Sequence, residues 1–178
     1  IKLVIAVVVG VLAGHSVVYL FNRLPAEWLC DYGEEPAEEM RDPWIQRVKS
    51  YPWKYLFTMF FVVLNIKMIM DDWIFSIGGV CVIWLLLEMT IADLKYRIVP
   101  DQLILLLTVC GFGFIPYHGD WKACFFGAVL GCSIMGLTAF LGKITYRRDV
   151  LGGGDIKLFT SLGLILGVGG IMITILLT

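Results

Sequence analysis

The sequence predicts an all-α, polytopic membrane helix bundle with about six transmembrane helices, and three observations predict it. Of its residues, 59% are hydrophobic and 16% charged, whereas a soluble domain of this size carries roughly a quarter charged residues. The apolar residues fall in long blocks rather than in periodic stripes, which is the pattern of a chain built for a bilayer. The basic residues, finally, gather on one side of those blocks. A net charge of −1 gives no basic footprint for a nucleic acid and none for an acidic substrate.

The blocks run over about 3–21, 53–70, 73–92, 100–117, 121–142 and 156–177. Each approaches or exceeds the ~20 residues that cross a ~30 Å hydrocarbon core as helix. The first, in segment 1–21, is too long for a signal-peptide core and is interrupted by Gly14-His15-Ser16. It reads as a span that stays in the membrane. Residues 22–52 form the one water-soluble stretch, with Glu34, Glu35, Glu38, Glu39, Arg41, Asp42, Arg47 and Lys49. They are expected as a short cytoplasmic loop with one amphipathic helix and no zinc motif. Residues 53–178 make the main membrane domain, in which Asn65 and Lys67 interrupt the end of the second block.

Alternating the spans puts 22–54, 93–99 and 143–157 on one face with 11 of the 14 basic residues, Arg148 among them, and leaves Lys2, Lys67 and Lys122 on the other. The basic-rich face is cytoplasmic by the positive-inside rule. Lys95, Arg97, Arg147 and Arg148 suit anionic headgroups there. The tryptophans Trp28, Trp44, Trp53, Trp73 and Trp121 fall toward span ends as interfacial anchors do, with Trp84 the exception. Gly127 with Gly131 and Gly163 with Gly167 have the one-turn spacing that brings helices close in lipid. The five cysteines, Cys30, Cys81, Cys110, Cys124 and Cys132, lack any Cys-x-x-Cys spacing, and four lie in apolar blocks. Neither a disulfide framework nor a metal site is expected, and no cofactor is implied.

A charged side chain in a span costs ~3 kcal/mol on insertion scales, so each needs an account. Glu88, Asp93 and Asp155 lie within or at the end of apolar blocks. Asp93 ends the third block in Ile91-Ala92-Asp93-Leu94-Lys95, and Asp155 opens the sixth in Gly152-Gly153-Gly154-Asp155-Ile156-Lys157. The topology gives both the same cytoplasmic boundary. Two carboxylates sharing a water cannot both ionise cheaply, so one takes the water's proton while the other, protonated, polarises a carbonyl. Side-chain-free backbone before Asp155 lets an extended peptide approach. The structural alternative is that Asp155 is simply an N-cap after a Gly-rich turn, and that Asp101 belongs to the first turn of the next helix. Glu88, five residues before Asp93 and about 140° away around a helix, is expected to face a neighbouring helix or polar cavity. His15, beside Ser16, reads as a packed polar residue.

At these segments the sequence resembles the type IV prepilin peptidases, membrane aspartic proteases of the GxGD kind. Asp93 before Val99-Pro100-Asp101 fits their first motif; Gly152, Gly154, Asp155 and Lys157 fit Gly-x-Gly-Asp-x-Lys; Gly14 through Arg23-Leu24-Pro25 has the spacing of a third. The resemblance implies Asp93 and Asp155 as the catalytic pair, with Gly152, Gly154, Lys157 and Pro100 as motif support. It implies 53–178 as the peptidase domain and removal of the basic leader from type IV prepilin or pseudopilin precursors. The setting implied is a bacterial cytoplasmic (inner) membrane, with the lipid bilayer as partner and the active site on the cytoplasmic side. No nucleic-acid partner follows, and the sequence sets no oligomeric state. Two departures stand out. Larger members carry two Cys-x-x-Cys pairs in the first loop and methylate the new N-terminus; this loop has only Cys30, so N-methyltransferase activity is not expected. The family also commonly runs on to a Pro-Phe-Gly-Pro segment, and this chain ends 23 residues after Asp155, which reads as a shortened or incomplete sequence. Alternatives are a preflagellin- or signal-peptide-type GxGD protease, an ion or proton transporter using paired carboxylates, and an inactive assembly factor on the same scaffold.

Overall fold

Apolar blocks become helices because lipid leaves no other way to satisfy a spanning backbone except a closed barrel. The structure is a computed structural model and describes residues 2–30, 35–36, 38–42, 45–147 and 151–177; Trp44 and Arg148 lie outside them. The elements are α1 (Lys2–Phe21), a 3-10 turn (Ala26–Leu29), α2 (Glu38–Arg41), α3 (Trp53–Asp71), α4 (Trp73–Tyr96), α5 (Asp101–Phe112), a second 3-10 turn (Ile115–His118), α6 (Trp121–Tyr146) and α7 (Gly153–Leu177). No strand occurs among the described residues.

All six apolar blocks are helical, and α1, α4, α6 and α7 are long and apolar enough to cross a membrane. The helix α3 has the length but carries Asn65, buried with its amide donating to the Phe61 carbonyl (3.0 Å), and Lys67. The block expected over 100–117 differs more. Its helix α5 has 12 residues, about 18 Å of rise, and stops where the Gly113 N–H turns back to the Cys110 carbonyl (2.9 Å). Pro116 then lies in a separate 3-10 turn. The polar loop holds one short helix, α2, as well as a 3-10 turn.

By internal packing the chain divides into two compact units, Ile1–Ile98 and Val99–Thr178. In the first, Val17, Phe61 and Val80 bring α1, α3 and α4 together. A Cβ on Gly14 would stand 2.3 Å from the Thr58 Cα, and one on Gly10 2.6 Å from the Val62 Cα. Two polar contacts lie beside these glycines: His15 Nδ1 with Thr58 Oγ1 (2.9 Å), and the Trp84 indole N–H donating to Ser16 Oγ (2.9 Å). Trp84 is away from a span end because its N–H has this partner, and His15 is the packed polar residue expected of it. Below them, Arg47 donates to the Phe21, Leu24 and Met40 carbonyls (3.4, 2.5 and 2.8 Å). It thereby serves carbonyls that the end of α1 leaves open. Asn22 exchanges two hydrogen bonds with the Val48 backbone (3.0 and 2.8 Å).

In the second unit the glycines of α6 and α7 meet, as their spacing predicts. A Cβ on Gly163 would fall 2.2 Å from the Gly127 carbonyl oxygen, and one on Gly131 2.5 Å from that of Phe159. Thr108 and Ser161 share a hydrogen bond between α5 and α7 (2.7 Å). The helix α7 is broken at Gly167 (φ 67°, ψ −175°), a backbone shape open to glycine. There the His118 ring N–H donates to the Ile165 carbonyl (2.8 Å), and a Cβ on Gly167 would meet that ring at 3.2 Å.

Candidate active site

Asp93 lies in the last turn of α4, which continues to Tyr96 before Arg97 turns left-handed (φ 57°, ψ 34°) and donates its N–H to the Asp93 carbonyl (2.8 Å). The Asp93 side chain is exposed. Nearby, Lys95 Nζ donates to the Arg47 carbonyl, which ties the end of α4 to the polar loop.

Asp155 is the third residue of α7, half-buried, with its N–H donating to the Gly152 carbonyl (3.2 Å). The N-cap alternative for its side chain is testable against two aspartates that are caps. Asp72 accepts from the Ile74 and Phe75 N–H groups (2.9 and 3.4 Å), and Asp120 accepts from that of Lys122 (3.0 Å). The Asp155 carboxylate makes no such bond. Among the described residues neither the Asp93 nor the Asp155 carboxylate has a hydrogen-bond or ion-pair partner.

The glycines before Asp155 divide their roles. A Cβ on Gly154 would stand 3.2 Å from the Val99 Cβ, one on Gly152 3.6 Å from Asp155 Oδ2, and one on Gly153 in open space. The start of α7 is therefore pressed against the segment leading into α5, where Pro100 is buried. Lys157 strengthens that apposition through its ion pair with Asp101 (2.6 Å). Lys157 thus pairs with the aspartate of the Pro100 turn, a contact sequence spacing alone does not reveal.

Of the motif residues, the structure brings together Gly154 with Val99 and Lys157 with Asp101, all in the second unit. Asp93 belongs to the first unit, six residues before Val99. Glu88 stands apart from both patterns: it is 0% exposed, and among the described residues neither carboxyl oxygen has a hydrogen-bond partner. Among the described residues no cluster of three or more His, Cys, Asp or Glu is placed to hold a metal ion.

Four helices long and apolar enough to cross a bilayer are those of a polytopic helical membrane protein. Residues 80–178, which include Glu88, Asp93 and Asp155, match the type IV leader peptidase family. The chain belongs to that family. It is similar to the prepilin leader peptidase/N-methyltransferase of Vibrio cholerae, 25% identical over 113 residues (62% of this chain, 45% of the relative). It is also similar to that of Neisseria gonorrhoeae, 29% identical over 110 residues (58% and 37%), and that of Aeromonas salmonicida, 28% identical over 134 residues (72% and 44%). The chain spans less than half the length of each of these relatives. No solved structure matches it.

Proposed function

We propose that the chain is a membrane-embedded aspartic endopeptidase that cleaves the leader of type IV prepilin or pseudopilin precursors at the cytoplasmic face of a bacterial inner membrane. Family membership supports the peptidase class and this substrate class. The observation that carries the choice of residues is the state of the acids within the matching segment. Asp101 is spent on Lys157, whereas Asp93 and Asp155, at the ends of apolar helices, keep unpartnered carboxylates among the described residues.

One carboxylate takes a proton from water as the water attacks the scissile carbonyl; the other, protonated, polarises that carbonyl and then gives its proton to the leaving amine. The roles belong to the pair, and neither aspartate is assigned to one of them. Gly152 and Gly153 keep the backbone before Asp155 free of side chains, which suits an extended substrate. The basic-residue count supports the cytoplasmic side. The proposal is confined to peptide cleavage, because the polar loop holds a single cysteine, Cys30.

A transporter reading would draw on the broken helix at Gly167. That break lies twelve residues along α7 from Asp155 and is filled by the His118 ring, so the acid does not sit at it. The test is co-expression with a prepilin, comparing the unsubstituted chain with Asp93→Asn and Asp155→Asn. The expected result is leader removal by the first and a loss of roughly 10²–10⁴-fold in each variant. Cleavage by either variant at the unsubstituted rate would overturn the two-aspartate mechanism.

A further inference from the structure

We propose that a recess in the first unit, at the C-terminal end of α1 and the N-terminal end of α3, is a site for an anionic phospholipid. Its volume is about 490 Å³, and its lining includes Arg23, Lys54, His15, Gln46, Ser50 and Leu12. No carboxylate is among the described residues that line it. Arg23 follows the end of α1 by two residues and Lys54 is the second residue of α3, so both cations stand at the same boundary of the hydrocarbon layer. Neither has an acidic partner among the described residues; the Arg23 guanidinium lies over the Tyr19 ring, 4.3 Å from its centroid. Gln46 and Ser50 add uncharged donors beside the two charges.

The apolar side of the recess selects a lipid over a free anion. Leu12 lies nine residues before the end of α1, about 14 Å deeper along the helix. It and Tyr19 are exposed, on a helix long and apolar enough to cross a membrane. A phosphate held by Arg23 and Lys54 therefore has its acyl chains beside Leu12, whereas an inorganic anion leaves that wall unused. Basic pockets between membrane helices take anionic headgroups in this way.

The test uses the full chain in nanodiscs containing equal amounts of phosphatidylglycerol and phosphatidylcholine, with the retained lipid counted by native mass spectrometry. Phosphatidylglycerol is expected to be retained in preference. Arg23→Gln and Lys54→Gln should each lower its retention about fivefold and together roughly twenty-five-fold, while Lys122→Gln leaves it unchanged. The charge-keeping pair Arg23→Lys with Lys54→Arg should retain the lipid, which separates lost charge from lost fold. On the unsubstituted chain, phosphatidylglycerol with brominated acyl chains should quench the Trp fluorescence more than brominated phosphatidylcholine, because Trp84 donates to Ser16 in the lining. Undiminished preference in the doubly neutralised variant, equal quenching by the two brominated lipids, or full displacement of the lipid by inorganic phosphate would each overturn the proposal.

Discussion

In the first unit, α1 lays Gly10 and Gly14 on the backbone of α3 and adds side-chain hydrogen bonds beside them. In the second, glycines from both partners face one another, and α7 itself bends where α6 crosses it. The first arrangement divides the work between close backbones and paired polar groups. The second rests on backbone proximity held at several points at once. Lipid supplies little hydrophobic drive between helices, so the seam of α6 with α7 and that of α1 with α3 are two solutions to one problem: mostly close backbone packing, or packing with hydrogen bonds beside it.

The contrast breaks most readily at the glycines. Gly163→Ala should cost about 3 kcal/mol, because a methyl there strikes the Gly127 carbonyl and any shift that relieves it disturbs the contacts at Gly131 and Gly167. Gly14→Ala should cost about 2 kcal/mol, since the methyl there meets the α3 backbone at Phe57 and Thr58, and a shift of α1 disturbs one further close glycine contact, that of Gly10 with Val62. Unfolding of the reconstituted chain measures both, and a larger loss at Gly14 would reverse the comparison. Glu88 gives the next effect, with the opposite sign. Its buried carboxyl has no hydrogen-bond partner among the described residues, so Glu88→Leu should stabilise the first unit by about 2 kcal/mol. A rise in Tm with unchanged leader cleavage would mark the carboxyl as a cost of the fold, and a rise in Tm with lost cleavage would mark it as part of the chemistry.

Smaller effects sharpen the picture. Thr58→Val and Ser16→Ala each remove one inter-helix hydrogen bond and should cost about 0.6 kcal/mol; a cost above that of Gly14→Ala would show that polar pairing dominates the first unit. Asp101→Asn is similarly small in stability. Lys157 is about half exposed, so the pair should contribute less than about 1 kcal/mol. Its effect on cleavage should be larger, about tenfold in kcat with KM unchanged, because the pair joins the start of α7 to the Pro100 turn. Exchanging the charges, Asp101→Lys with Lys157→Asp, should restore most of the rate; no recovery would remove the pair from any positioning role.

The sequence discloses where helices are more readily than where they end. Hydropathy closes the third block at residue 92, yet α4 runs on to Tyr96, because hydrogen bonding continues through charged residues that can reach water. Asp93 therefore sits inside a helix rather than after it. The reverse occurs in α5: Phe114, Ile115 and Tyr117 keep the block apolar, but Gly113 and Pro116 end the helix. The Gly127–Gly163 contact is legible because its spacing is local. Gly10 and Gly14 share that one-turn spacing, but their contact with α3 is seen only in the fold. The Lys157–Asp101 pair and the Arg47 contacts are not legible, because each joins segments whose approach only folding creates. Both motif aspartates are visible as charges at the ends of apolar blocks; their lack of partners is visible only in three dimensions.

The break at Gly167 also bears on the order in which the membrane domain is assembled. Inside hydrocarbon, an unpaired carbonyl costs several kcal/mol, and the Ile165 carbonyl finds its donor on His118, forty-seven residues earlier in the chain. A solitary α7 newly delivered to the bilayer has no such donor, so its least costly form there is a straight rod. The bend becomes favourable only after the preceding turn and α6 have come alongside. Its shape is then a record of assembly, acquired after insertion rather than carried into the membrane.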